Sequence, residues 1–410
     1  MARFVFPSNP PPINVPVSDW MDWTWQLRQS LKSESDFSKV FDLSSDEQAA
    51  FREGQELFNI RTTPYYATLA AVRGRSGDDP LRRILMPQAM EMKGGAQEML
   101  DPLGEQRNQP RRRLIHRYSD RVLFLVTDLC SVYCRFCTRK HFTGQDQALI
   151  ARNEYEQALS YIRSHPGIRE VILSGGDPLT LSDAHLQRVL GDLRAIDHIE
   201  IIRVGTRMPV VAPMRVTPEL VGILRKAAPV FMMTHFNHPR ELTSEAAQAL
   251  GLLVDHGIPV MNQMVLLNGV NNHPALVQAL SRRLLYLRVK PYYMFQCDPS
   301  IGTDHLRTSI DQSLEIQKEL WGHLSGLAMP TYAVDIPEGG GKTVLTPDFE
   351  TAKSREKRSY QGWDGVAADY VNPVGEVVQP ADASSYLEEW EVLKGAKSDA
   401  PIEHISQRIF

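Results

Sequence analysis

The sequence predicts an α/β protein built on a partial, TIM-like (β/α)6 barrel, preceded by a helical region and an extended arm. Three observations predict it. Six apolar, β-branched runs alternate with amphipathic stretches along the middle of the chain. The first strand-to-helix turn carries no dinucleotide glycine fingerprint. Polar residues able to do chemistry fall in the runs or just after them, the carboxyl end at which barrel enzymes build their sites. A doubly wound sheet is the structural alternative.

Residues 1–18 hold Pro7, Pro10, Pro11, Pro12 and Pro16, which cannot sustain helix and read as an extended arm. Residues 19–115 form a helical region rich in Trp and charge to about Met99, with the spacing of a capping box at Ser44–Glu47. The barrel is expected over 116–300. Its runs are Arg121–Thr127, Glu170–Ser174, Ile199–Val204, Val230–Thr234, Ile258–Val265 and Leu287–Met294. Between them lie helical stretches such as Ala184–Ala195, Pro218–Ala228 and Ser244–His256. Thr217 before Pro218 marks a helix start, and Gly257 marks a helix end. The runs are almost continuously apolar, as in a parallel sheet covered on both faces. Residues 301–410 form a C-terminal region that carries the Gly-Gly-Gly-Lys342 loop.

On this frame the polar residues converge. The segment containing Cys130, Cys134 and Cys137 follows the first strand, and Gly175-Gly176-Asp177 follows the second. Thr206 and Arg207 follow the third, His235 the fourth, Gln263 lies in the fifth, and Asp298 follows the sixth. Convergence of six separate positions on one end of a barrel points to an enzyme.

Three of the chain's 4 cysteines lie in the Cys130–Cys137 segment, a clustering typical of ligands to one metal centre. Three thiolates leave one iron of a four-iron cluster open to a small molecule. Buried core thiols on a helix fit poorly, because Arg135, Arg139 and Lys140 interrupt the segment. A zinc site remains a rival, since His141 completes a Cys-x3-Cys-x2-Cys-x3-His series. It would make the chain a zinc-stabilised binding module rather than an enzyme.

A net charge of −4 supplies no basic field for nucleic acid or an anionic membrane. The chain has neither an export-type apolar segment nor a run near the ~20 apolar residues that span a bilayer. With sparse thiols, this predicts a cytoplasmic protein.

The Cys-x3-Cys-x2-Cys motif resembles the radical S-adenosylmethionine superfamily. Val171-Ile-Leu-Ser-Gly-Gly-Asp177 looks like that superfamily's glycine-rich motif. His116-Arg-Tyr-Ser-Asp-Arg121, Cys-Arg-Phe-Cys-Thr-Arg139, Thr234-His-Phe-Asn-His-Pro239, Pro291-Tyr-Tyr-Met-Phe-Gln-Cys-Asp298 and Val334-Asp-Ile-Pro-Glu-Gly-Gly-Gly-Lys342 narrow the resemblance to the lysine 2,3-aminomutases. It extends from about residue 19 to about residue 378.

The resemblance implies a 4Fe–4S cluster on Cys130, Cys134 and Cys137. It places S-adenosylmethionine at Gly175, Gly176, Asp177, His235 and Gln263. It implies pyridoxal 5′-phosphate bound covalently to Lys342, with its phosphate held by Arg117 and Arg121 and assisted by Tyr118. Gly-Lys-Thr343 also ends a nucleotide-binding loop, but that loop needs glycine where Ile336 stands. Arg139 matches the arginine for the substrate α-carboxylate. Asp298 and Asp335 match the carboxylates that grip the distal ammonium. Two acids at one site imply a cation between them.

The implied reaction is a radical 1,2-amino shift that converts L-lysine to β-lysine. L-Arginine is the alternative substrate, and glutamate is disfavoured. The chain departs from the family at Glu338, where glycine is common. It also has no cysteine after Cys297, so the family's intersubunit zinc is not expected. Expected partners are a small cationic amino acid, a reductant such as flavodoxin or ferredoxin, and further copies of the chain in a dimer or tetramer, the proline-rich arm being one possible contact.

Overall fold

The computed structural model describes residues 4–391 except 55–57, 72–78, 96, 145–148, 374, 376–379, 381 and 388–389. The end of the C-terminal region, 392–410, therefore lies outside the described residues.

Nine strands form one sheet in strict chain order. They are β1 (Leu114–Tyr118), β2 (Arg121–Thr127), β3 (Glu170–Gly175), β4 (Ile201–Gly205), β5 (Val230–Thr234), β6 (Val260–Leu266), β7 (Lys290–Gln296), β8 (Thr331–Ile336) and β9 (Gly341–Val344). β2 to β8 pair in parallel, while β1 and β9 add antiparallel strands at the two edges. Helices α1 (Arg152–Ser164), α2 (Asp183–Arg194), α3 (Pro218–Lys226), α4 (Ser244–Asp255), α5 (Pro274–Tyr286) and α6 (Ile310–Leu320) make the crossovers. Side chains of Ser182, Thr217, Thr243, His273 and Ser309 cap the last five of these by accepting backbone N–H groups, which stops each helix from fraying at its start.

All six apolar runs are strands, but three of them start late. β4, β6 and β7 begin at Ile201, Val260 and Lys290, after the expected starts at Ile199, Ile258 and Leu287. Ile199 and Ile258 are buried at the helix-to-strand turns, so hydrophobicity continues where the ladder has not begun. β8 is a seventh parallel strand that the sequence does not announce.

The expectation that both faces of the sheet are covered is not met. Val122, Phe124, Val126, Val171, Leu173, Ile202 and Val204 are buried in the same core cluster as α1 and α2 residues Leu159, Leu186 and Leu190. Phe124 stacks on Tyr155 of α1 at 5.7 Å, which fixes this as the outer face. Burying each such side chain contributes about 1.5–3 kcal/mol, so the outer face drives folding. The alternate residues Arg121, Leu123, Leu125, Ile172, Ser174, Arg203, Gln263, Val265, Tyr293 and Phe295 face the opposite way and stay half-buried. The sheet thus curls round a lumen rather than a packed centre.

Side chains join the edges of the sheet. Arg117 of β1 meets Asp335 of β8 at 3.0 Å, and the backbone N–H of Lys342 in β9 donates to the Tyr118 hydroxyl at 3.0 Å.

Among the described residues, the preceding region is helical only in short pieces, Ser45–Gly54 being the longest, and Ser44 and Glu47 form the expected capping box there. The proline-rich arm lies along its own chain: Pro7 O accepts from Ser244 N at 3.0 Å, and Asn9 Nδ2 donates to Tyr65 O at 2.7 Å. After β9, three antiparallel strands (Glu350–Lys353, Lys357–Gln361 and Ala367–Val371) form a separate, largely exposed sheet.

Candidate active site

The Cys loop leaves β2 as turns, not as a helix, and buried charges hold it in place. Glu91 accepts from Arg135 Nη2 at 2.6 Å and from Lys140 Nζ at 3.2 Å, all three being buried. Burial alone would raise the Glu91 carboxyl, but Arg135 and Lys140 reverse that and hold it below the ordinary range. The charges that interrupt the motif in sequence are therefore its anchors. Glu91 carries no signal in the sequence that would mark it for this role.

Burial, reinforced by Cys137, pushes the Cys130 thiol well above its ordinary range, and burial with Cys134 raises Cys137. These thiols disfavour each other's ionisation, so a cationic centre is the partner their chemistry fits. Among the described residues no three His, Cys, Asp or Glu side chains converge as ligands of one ion do. A cube instead distributes its thiolates over separate irons. His141, the fourth ligand of the zinc reading, has Nε2 3.2 Å from Ile301 O. Cys297 is buried, with its thiol pushed up to about 12 by burial and Asp298.

Arg207 donates to Cys134 Sγ at 2.8 Å, to Glu241 at 2.6 Å and to the Tyr66 hydroxyl at 2.9 Å. Glu241 also takes the Asn237 N–H at 2.6 Å and the His238 N–H at 3.0 Å, tying the end of β5 to the Cys loop. The sequence placed Arg207 at the right end of the barrel but gave it no role. Glu241, beyond the expected motif, went unread.

The glycine motif packs closely against the segment that leads into the Cys loop. The Gly175 N–Cα torsion φ is +129°, and a Cβ there would lie 2.1 Å from Thr127 O; one on Gly176 would lie 2.3 Å from Leu129 O. The Gly176 and Asp177 N–H groups donate to those same carbonyls at 2.7 and 2.8 Å. Asp177 is buried and accepts from Thr206 Oγ1 and Arg207 N, both at 2.7 Å. Its carboxylate therefore locks the β3 and β4 loops together. The turn thereby seats the start of the Cys loop against the end of β3.

His235 is half-buried, its imidazole pushed down to about 4 by burial and the Arg207 cation, so it is neutral near pH 7. It hydrogen-bonds the Gln263 backbone, and Gln263 faces the lumen. With the Cys loop beside them, these neutral groups can receive a polar nucleoside ligand.

A second cluster forms at the seam. The Arg117 and Arg121 guanidiniums lie 5.0 and 4.0 Å from the Tyr118 ring centroid. Arg121 pairs with Asp120 at 2.6 Å, and Arg117 also donates to Leu103 O at 3.0 Å. Lys342 Nζ stands 3.2 Å from Asp335 and 5.2 Å from the Phe295 ring centroid. Two guanidiniums, a phenol and an amine on an aromatic face fit a phosphorylated aromatic aldehyde. Asp298 lies by this cluster. Burial and the Asp335 charge push its carboxyl up to about 7, against the pull of Lys342 and Arg117.

Glu338, the departure in the loop before Lys342, adopts φ +63°. That left-handed conformation explains why glycine suits the position. Its N–H donates to Pro102 O at 3.1 Å, and its carbonyl accepts from Arg107 Nη1 at 2.6 Å.

Arg139 sits near Ser174 Oγ at 3.4 Å and is gripped by Glu105 through Nε at 2.8 and 3.0 Å and Nη2 at 2.5 Å. Burial alone would lower the guanidinium pKa; Glu105 overrides this and holds it above the ordinary value. The sequence reading missed Glu105 altogether.

Comparison with known proteins places this architecture. The radical SAM superfamily profile matches residues 124–277, and the lysine-2,3-aminomutase profile matches residues 317–406. The chain is 42% identical over 361 residues to L-lysine 2,3-aminomutase of Clostridium subterminale, covering 88% of this chain and 86% of that protein. It is 41% identical over 382 residues to the L-lysine 2,3-aminomutase of Fusobacterium nucleatum, covering 93% and 89%. It is 38% identical over 353 residues to the glutamate 2,3-aminomutase of Clostridioides difficile, covering 86% and 83%. Among the described residues no helix is long and apolar enough to cross a membrane. An enzyme rather than a zinc-stabilised module, the chain belongs to the lysine 2,3-aminomutase family of radical SAM proteins.

Proposed function

We propose that this radical SAM aminomutase moves the amino group of L-lysine from the α- to the β-carbon, using pyridoxal phosphate on Lys342. Superfamily membership implies the 4Fe–4S cluster and S-adenosylmethionine. Cys130, Cys134 and Cys137 would hold the cluster, and the bound groups together supply the radical and the nitrogen carrier. The chain contributes position and charge. Arg117, Tyr118 and Arg121 would orient the phosphate, and Arg139 the substrate carboxylate. Asp298 and Asp335 would receive the distal ammonium. Gly175, Gly176, Asp177, His235 and Gln263 would border S-adenosylmethionine.

The observation that carries the substrate class is Asp298, a half-buried residue whose carboxyl is pushed up to about 7 beside a second acid. A substrate cation entering there would offset the repulsion that Asp298 feels from Asp335, whereas a glutamate side chain would add to it. The test is to incubate anaerobically reconstituted enzyme with lysine, arginine, ornithine and glutamate and to identify β-amino products. β-Lysine is expected, and its absence beside a different β-amino acid would reassign the substrate. Lys342→Ala should lose the visible absorbance of the bound cofactor; retention would remove Lys342 from this role.

A further inference from the structure

The segment 101–109 spans the two halves of the candidate site. Asp101 accepts the Glu105 and Gln106 N–H groups at 2.9 Å and so curls the segment into a tight turn. Leu103 O takes Arg117 and Pro102 O takes the Glu338 N–H, so the turn is bolted to the seam cluster. Its centre presents Glu105 to Arg139, the two side chains being only 18% and 19% exposed.

From this geometry we infer that Glu105 is a positioning residue for substrate-carboxylate recognition, an inference that rests on the reading of Arg139 above. A free guanidinium offers a carboxylate two bidentate edges. Glu105 occupies the Nε–Nη2 edge, which leaves the Nη1–Nη2 edge, where Nη1 also donates to Ser174 Oγ at a long 3.4 Å. An incoming carboxylate is thereby confined to one orientation, which sets the direction of the attached α-carbon. The charge of Arg139 is already balanced, so the carboxylate is recognised by directed N–H groups rather than by a net cation. Affinity is given up for alignment, and alignment is what a hydrogen transfer between fixed centres needs.

The test compares wild type, Glu105→Gln, Glu105→Asp and Arg139→Met. Calorimetry measures binding of L-lysine and of 1,5-diaminopentane, which lacks the carboxylate, to enzyme loaded with pyridoxal phosphate but without S-adenosylmethionine. Steady-state assays give kcat and KM. Glu105→Gln should bind lysine at least as tightly as wild type, bind the diamine unchanged, and lose roughly tenfold or more in kcat. Glu105→Asp, which keeps the charge, should recover part of that loss. A kcat within twofold of wild type in Glu105→Gln would overturn the inference, because Glu105 would then merely occupy the place of the substrate carboxylate. Equal weakening of both ligands with a lowered Tm would also overturn it, by reducing Glu105 to scaffold. Arg139→Met separates the two levels: if it leaves the preference for lysine over the diamine intact, the assignment of Arg139 itself fails, whatever Glu105→Gln does.

Discussion

The state of Asp298 makes a quantitative demand on this protein. Its carboxyl is pushed from 3.8 to about 7 by burial and by Asp335. Between pH 8 and pH 6 the ionised fraction therefore falls from ~0.9 to ~0.1, and affinity for a distal ammonium should fall nearly tenfold, about 1.4 kcal/mol. Asp298→Asn should bind lysine at least tenfold more weakly at pH 8 and lose this slope. Calorimetric titration of lysine across that range reads both. The same group sets a stability signature. Because its folded pKa lies above its unfolded value, the folded state keeps a proton between about pH 4 and 7 that the unfolded chain has released. The stabilisation is present below that window and is lost as pH rises through 7, a swing of roughly 4 kcal/mol at most. Asp298→Asn should therefore be more stable than wild type at pH 8, with the difference shrinking toward pH 4 in denaturant melts. A wild-type lysine affinity that stays flat from pH 6 to 8, or an Asn variant no more stable at pH 8, would refute the reasoning.

Other expectations follow from the same structure. Glu91→Gln leaves Arg135 and Lys140 buried without their carboxylate and should destabilise the protein by about 3 kcal/mol or more, read by chemical denaturation. Replacing Cys130, Cys134 and Cys137 singly by Ala should each abolish stable iron and sulfide incorporation on anaerobic reconstitution; retention of a full complement in any one removes that residue from the ligand set. Glu338→Gly relieves a left-handed glutamate but loosens the unfolded chain, so the net gain should be about 1 kcal/mol or less. A loss larger than that would mean that the Glu338 side chain itself is needed.

Much of the barrel could be read because a strand's outer face must be apolar to pack against its helix. Val122, Phe124 and Val126 announce β2 for this reason. The opposite face could not be read. Leu123 and Leu125 look as apolar as their neighbours, yet they line a lumen, and only the curl of the sheet decides which alternate set is enclosed. β8 was missed because its strand character is set by the pairing of Tyr293 with Thr331 and of Phe295 with Ala333, long-range contacts invisible in a local window. The glycine motif was found at its correct place. Its physical reason, the close approach of Thr127 and Leu129 carbonyls, appears only in three dimensions.

The candidate site divides the same way. Cys130, Cys134, Cys137 and the Gly175–Asp177 turn are local patterns, legible because the residues that act together are close along the chain or follow successive strands. Glu105 with Arg139, Glu91 with Arg135, and Arg117 with Asp335 are partners 34, 44 and 218 residues apart. Sequence alone determined which chemical groups this protein possesses and at which end of a barrel most of them belong. Tertiary structure decided which charges neutralise one another, because Coulomb energy depends on separation and burial, and both are set by the closed chain rather than by the order of its residues.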